Sequence, residues 1–565
     1  MITSQPLSHD TRCSAGAGAS LAGRALVVGL TWLLLSCAGA PPGGPDLILT
    51  GGAIYPLGGS VEPVGALAIR GDSVLATGTS AEILALATDE TQVMELDEEC
   101  VLPGFFDAWI DPLALGRWRE APLDLRLAST LEEVQAMVRN ASASLGDGAW
   151  LVGWGWNESL WPDPVLPTHA ALDSVIADHA VVLFRRAGRV AWLNSAALAA
   201  LDLEDLEGVL RGVDGAPTGI LLGKAVEALE ARMPGIDDRQ RQDWISSGLQ
   251  IAASMGVTTL ATAPVGEAEA AAYATLEREG SLPVRVRLRI TPESADAVMT
   301  PAGPLLALEA VGARVDGPFT ARLAALQAAY ADAPTEGYLN LSAASLNQAA
   351  DVADARGVPL HLQAQGDRAV ALALAALAST ERPGMLVGAD LPPAGWLQQV
   401  LANEITVAIV PLRFSRDIYW LEQRLGEERS ETAHRWRDMV AAGARWAIAS
   451  DAPAYPLSPF DGILALTTRQ NVEGYPASGW YPDQAVGPLL SLRATVGPRG
   501  LASEPVLSSG SPADLVVWSE NPLAPDANDE TLQRAEVLLT IVAGRVVYSR
   551  PLVDLPMNRD NGDGP

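Results

Sequence analysis

The sequence predicts an α/β fold: a TIM-type (β/α)8 barrel with a small β-sandwich module built from both termini. Three observations predict it. Short apolar runs such as AVVLFRR, GVTTLATA, VRVRLRI, GVPLHLQAQ, ITVAIVP and ARWAIAS alternate with Ala/Leu-rich helical stretches across the middle of the chain. Strand followed by helix, repeated, is the signature of a parallel sheet closed by helices. Both ends of that region carry strand-like runs separated by Gly and Asp turns, without helical spacers. Finally, 565 residues, 48% of them hydrophobic, exceed one ordinary domain and can fill a large barrel and a second core.

Taken in order, residues 1–36 read as a signal peptide. Arg12 and Arg24 precede the apolar run Ala25–Leu35, which has the length of a signal core and is short for a bilayer span. The run ends in Leu34-Leu35-Ser36-Cys37, which resembles the lipobox of bacterial lipoproteins; that resemblance implies lipidation at Cys37. It also implies a bacterial cell-envelope location on the periplasmic or outer-surface side, with the membrane met only through the anchor. Residues 37–45, rich in Pro and Gly, form a linker. Residues 46–100 supply the N-terminal part of the sandwich. Residues 101–495 hold the barrel, with an insertion at about 113–245 near the substrate mouth. Residues 496–552 complete the sandwich, and 553–565 are a polar tail.

The formal net charge of −30 disfavours any phosphate backbone, so no nucleic-acid partner is expected. Three cysteines, Cys13, Cys37 and Cys100, cannot build a disulfide framework. There is no Gly-x-Ser-x-Gly elbow in the barrel, no phosphate-binding Gly-rich loop and no dinucleotide fingerprint.

Several motifs, weak singly, occur in a telling order. They are Val101-Leu102-Pro103-Gly104-Phe105-Phe106-Asp107-Ala108; Gly153-Trp154-Gly155-Trp156-Asn157 with Trp192-Leu193-Asn194-Ser195; and Asp316-Gly317 with Arg322 and Tyr330-Ala331-Asp332. Gly366-Asp367-Arg368-Ala369, Ala449-Ser450-Asp451-Ala452-Pro453 and Gly510 with Ala513-Asp514-Leu515 complete the set. Together they resemble the amidohydrolase 3 family over nearly the whole mature chain. The resemblance implies a hydrolase of non-peptide amide and related C–N bonds, with one or two zinc-type ions activating water at the C-terminal ends of the barrel strands.

The residues that would hold such ions are mostly replaced. The first-strand His-x-His pair appears as Trp109-Ile110-Asp111, and indole has no lone pair to give. Four residues before Asp316, where the bridging lysine would stand, is Gly312, and Lys224 is the only lysine of the chain. The fifth-strand histidine corresponds to Gln363, a histidine near the substrate to Arg189, and the sixth-strand Glu-His pair to Val387-Gly388. Asp451 alone remains of the catalytic set, and Arg189 or Arg314 could supply the charge the metal gave.

His361 reads as a core histidine; the alternative is one ligand of a reduced site with Asp111 and Asp451, holding one divalent metal such as zinc. No cofactor is otherwise expected. Trp109, Trp154, Trp156, Arg189, Trp192, Arg322 and Gln363 are expected to line the pocket, although each tryptophan has core packing as an equal alternative. The sequence thus allows three functions: an amidohydrolase-like enzyme using Asp451, a catalytically inactive barrel that binds a small molecule or partner in its mouth, or a structural lipoprotein with no ligand.

Overall fold

The computed structural model describes residues 43–550, apart from short breaks at 59–61, 121–122, 144, 147, 159–160, 186–189, 202–205, 207, 234, 301–302, 500–505 and 525–526. Cys37 and Arg189 lie outside the described residues.

Eight parallel strands form the barrel sheet: Phe105–Ile110, Val257–Thr262, Arg285–Ile290, Leu306–Arg314, Leu360–Ala364, Met385–Gly388, Thr406–Ile409 and Trp446–Ile448. Most are short runs buried on both faces, the pattern of a sheet wrapped by helices. The first and eighth strands meet through three hydrogen bonds just past the eighth strand. Asp451 N–H donates to the Trp109 carbonyl at 2.9 Å, Asp111 N–H to the Ala452 carbonyl at 2.9 Å, and Ser450 N–H to the Asp107 carboxylate at 3.0 Å. This seam brings the ends of the first and last strands side by side.

The flanking module is one seven-stranded sheet. Four strands come from the N-terminal side (Leu47–Ile54, Val64–Arg70, Ser73–Gly78, Gln92–Pro103) and three from the C-terminal side (Leu515–Trp518, Val537–Val542, Arg545–Ser549). Leu515–Trp518 pairs antiparallel with Gln92–Pro103 and joins the two halves. Strands far apart in this sheet contribute to one buried cluster, which holds Leu67 and Ile69 as well as Leu539 and Ile541.

The insertion follows the first barrel strand as a separate six-stranded sheet, Leu123–Asp124, Leu151–Trp156, Val181–Arg185, Val190–Leu193, Val209–Arg211 and Pro217–Leu222. The helices on either side of it in sequence, Pro112–Glu120 and Asp238–Ser254, cross at two glycines. A Cβ on Gly116 would stand 1.8 Å from the Trp244 carbonyl oxygen, and one on Gly248 2.0 Å from that of Pro112. Only glycine permits so close a crossing, which fixes the first helix, and with it Asp111 and Trp118, against the barrel.

Candidate functional site

The C-terminal ends of the barrel strands surround a polar pocket of about 130 Å³, lined among others by Asp111, Trp118, Arg314, Gln363, Gln365 and Asp451. Asp451 follows the eighth strand in the left-handed region, φ 54°, a conformation that Asp tolerates better than most residues. Its N–H is held by the seam, so the carboxylate is aimed by the backbone. One oxygen accepts from Gln363 Nε2 at 3.1 Å and the other from Arg413 Nη2 at 2.7 Å.

Arg413 is the decisive neighbour. It opens the helix after the seventh strand, is fully buried, and also donates through Nη1 to Asp390 at 2.5 Å. Burial works against its charge, but the two flanking carboxylates outweigh it and hold the guanidinium protonated. Asp390, Arg413 and Asp451 therefore form a chain minus–plus–minus across the ends of the sixth, seventh and eighth strands.

A second arginine enters from the fourth strand. Arg314 Nε donates to Gln363 Oε1 at 3.1 Å, so the Gln363 amide spans Arg314 and Asp451. Beneath them the Trp109 ring is fully buried, with the Arg314 guanidinium 5.7 Å and the Arg289 guanidinium 5.1 Å from its centre. Arg289 in turn pairs with Glu309 at 2.9 Å. Asp316 shapes the rim: its carboxylate accepts from the backbone N–H groups of Ala325, Gln365 and Gly366, each at 2.9 Å. Burial still pushes it up to about 7.

Asp111, Gln363 and Asp451 thus meet at one pocket. Asp111 also caps its helix, accepting from Ala114 N–H at 2.9 Å. Other expected site residues stand elsewhere. His361 lies one layer deeper, with Nδ1 3.7 Å from Glu309, and burial followed by Arg289 holds it well below the usual imidazole range. Because it faces that inner ion pair, the trio Asp111, His361 and Asp451 does not converge. Among the described residues, no three His, Cys, Asp or Glu side chains gather as a metal site requires.

Trp109 is the plug beneath the pocket, not part of its wall. Trp156 and Trp192 form the insertion's own core, and their indole N–H groups bond to the Leu183 and Thr168 carbonyls. Trp154 is buried too, but it stacks at 4.4 Å on Trp118, which does line the pocket. Arg322 is committed to Asp332, with bonds of 3.1 and 2.6 Å.

Sequence reasoning missed Arg413, Asp390 and Trp118. Arg413 had a signal, since it stands just past the apolar run ITVAIVP, at a strand's C-terminal end where barrel sites are built. Asp390 closes the preceding segment of this kind, MLVGAD.

A family model described as the amidohydrolase family matches residues 92–548. Among relatives, YtcJ of Bacillus subtilis (strain 168) is 24% identical over 525 residues, which are 88% of this chain and 99% of that protein. The N-substituted formamide deformylase of Arthrobacter pascens is 24% identical over 525 residues, 86% of this chain and 95% of that protein. A crystal structure of an uncharacterised metal-dependent hydrolase from Pyrococcus furiosus aligns with TM-score 0.69 and 27% identity, over 84% of this chain and 99% of its own.

Two outcomes follow from the buried charges. Arg413→Leu leaves Asp390 unpaired inside the barrel and should cost on the order of 3–5 kcal/mol in denaturant unfolding. Adding Asp390→Leu should restore a large part; equal instability of single and double variants would refute the charge chain. Asp107, fully buried, is raised to about 6, first by burial, against its bonds to the Trp109 and Ser450 N–H groups. Its folded value exceeds its unfolded value, so its contribution is complete below 3.8 and is lost as pH rises through about 6. The wild-type-minus-Asp107→Asn difference in unfolding free energy should therefore fall across that window, by on the order of 2–3 kcal/mol. A flat difference would show that the carboxyl titrates normally.

Proposed function

Because the chain belongs to the amidohydrolase family, we propose that it uses that family's barrel to bind a small polar molecule, with arginines standing where metal ions act in other members. The Arg413 bond to Asp451 carries this reading. A divalent ion on Asp451 would sit beside a guanidinium already 2.7 Å from the same carboxylate, and the two positive charges would repel. Around it stand an amide, a second guanidinium and an indole, none of which is a good ligand for a zinc-type ion. The residues present do not fit the metal, so no step of the chemistry is routed through one.

What the pocket offers is recognition. Asp111 and Asp451 present carboxylates, Arg314 a guanidinium, and Gln365 a buried amide oxygen with no partner among the described residues. Trp118 supplies a flat wall stiffened from behind by Trp154. Such convergent polar groups orient a small ligand.

Hydrolysis of a C–N bond is the second reading, favoured by family membership and by the similarity to the N-substituted formamide deformylase. On this chain it would rest on Asp451 as general base with Asp111 beside it.

Elemental mass spectrometry and turnover assays separate the two. The purified protein should carry substoichiometric zinc, manganese and iron, and should show no turnover of N-substituted formamides, carbamates or lactones above background. Stoichiometric metal or measurable hydrolysis, either of them abolished by Asp451→Asn, would overturn the binding reading in favour of the enzyme.

We also propose that the protein is held at the bacterial cell envelope by a lipid on Cys37, a reading supported by the Leu34-Leu35-Ser36-Cys37 sequence after its apolar run. Tritiated palmitate should label the wild-type chain in a bacterial host and leave Cys37→Ala unlabelled. Equal labelling of both would remove the anchor.

A further inference from the structure

A larger cavity, about 580 Å³, lies beside the polar pocket; the consecutive residues Tyr455 and Pro456 face one and the other. Its size is that of a small-molecule site and many times the space one water fills. Much of its wall comes from the chain after the seventh barrel strand, which presents Ser415, Arg416, Tyr419 and Trp420.

Arg416 is the exception among the arginines of the barrel mouth. Arg185 and Arg413 are paired with carboxylates, and Arg424 and Arg469 donate to backbone carbonyls. Arg416 is half-buried and lines the cavity, yet among the described residues it donates no hydrogen bond and has no carboxylate within ion-pair distance. Burial pulls its guanidinium below the usual range, and the charges of Tyr455, Glu473, Tyr419 and Asp417 oppose the fall without cancelling it. Two hydroxyls on the same cavity, Ser415 Oγ and Thr320 Oγ1, are buried and also lack partners among the described residues. Three residues able to donate, Arg416, Ser415 and Thr320, therefore line one space, and the rest of the wall includes two aromatic rings.

The charge of the wall limits the ligand further. Asp461 and Glu473 also line it. Asp461 is raised, first by burial and then by Glu473, while Ser458 opposes the rise. Glu473 accepts from the Tyr419 hydroxyl at 3.5 Å. These carboxylates penalise a doubly charged phosphate more than a singly charged group, whose place is on Arg416.

We infer that this cavity binds an organic monocarboxylate with an aryl or comparably flat apolar body. The carboxylate sits on Arg416, Ser415 and Thr320, and the body lies against Tyr419 and Trp420. The three donors do not line the polar pocket, so the inference stands apart from the function proposed for that pocket.

Isothermal titration of the full chain with 3-phenylpropionate, with the neutral 3-phenylpropionamide, and with inorganic phosphate tests it. The acid should bind, with the amide and phosphate at least about tenfold weaker, the span of one charge-assisted hydrogen bond. Arg416→Gln should weaken the acid by a similar factor and leave the amide unchanged. Thr320→Val, which keeps shape and charge, should weaken the acid less. Asp451→Asn should leave the acid unaffected even if the polar pocket loses its own ligand. Absence of binding by the acid, equal binding of acid and amide, tighter binding of phosphate, or loss of acid binding in Asp451→Asn would each overturn the inference.

Discussion

One buried guanidinium organises the top of the barrel. Arg413 is fully enclosed, so its charge would be buried at a large uncompensated cost without the carboxylates of Asp390 and Asp451. Each of the three residues follows a different strand, the sixth, seventh and eighth. The ion pairs therefore staple three strand ends that the sheet ladder has already released. Asp451 is fixed twice, by the guanidinium on its side chain and by the seam hydrogen bond on its backbone. Two independent constraints hold a residue whose left-handed backbone would otherwise relax.

The barrel interior below that staple is layered by charge. Pairing of the fourth and fifth strands sets Gly312 opposite His361 and Arg314 opposite Gln363, two residues apart and hence one layer apart. The lower layer holds His361, Glu309 and Arg289; the upper holds Arg314, Gln363 and Asp451. Trp109 lies between, its ring facing a guanidinium from each layer. An indole there serves both sides, since its face attracts cations while its bulk keeps water from joining the two polar layers. Replacing it by imidazole would reopen the space and remove that separation.

The fold was legible because its signals are repetitive. Short runs of three to nine residues between helices state the parallel barrel many times over, and an error in one does not disturb the rest. The site was legible only where backbone position decides it. Asp111, Gln363 and Asp451 stand at strand ends, and they meet at the pocket. The tryptophans were left open between wall and core because an indole on a strand reads the same whether its face turns to a mouth or to a core. Trp156 and Trp192 turned inward, while the pocket's aromatic wall came from Trp118, on a helix with no motif around it. Arg413 escaped for the opposite reason. An arginine in a sequence suggests solvent, and only the spatial convergence of Asp390 and Asp451 makes it a core residue.

On the function proposed above, exchanging a metal for arginine would change what the same scaffold can do. A metal ion accepts lone pairs, so it can hold water and lower its pKa. A guanidinium has no vacant orbital, only N–H donors in a fixed plane, and it stays protonated across the range where proteins fold. It can bind and orient an oxyanion or a carboxylate, but it cannot turn water into hydroxide. With Arg413 saturated by two aspartates, even that capacity is directed inward, to the support of Asp451. The charge that elsewhere in the family drives water attack would here be spent on keeping the pocket's shape. On that proposal, what remains for a ligand is the outer face of Asp451, Asp111 and Arg314 against the Trp118 wall, a surface suited to selecting a molecule by its polar pattern.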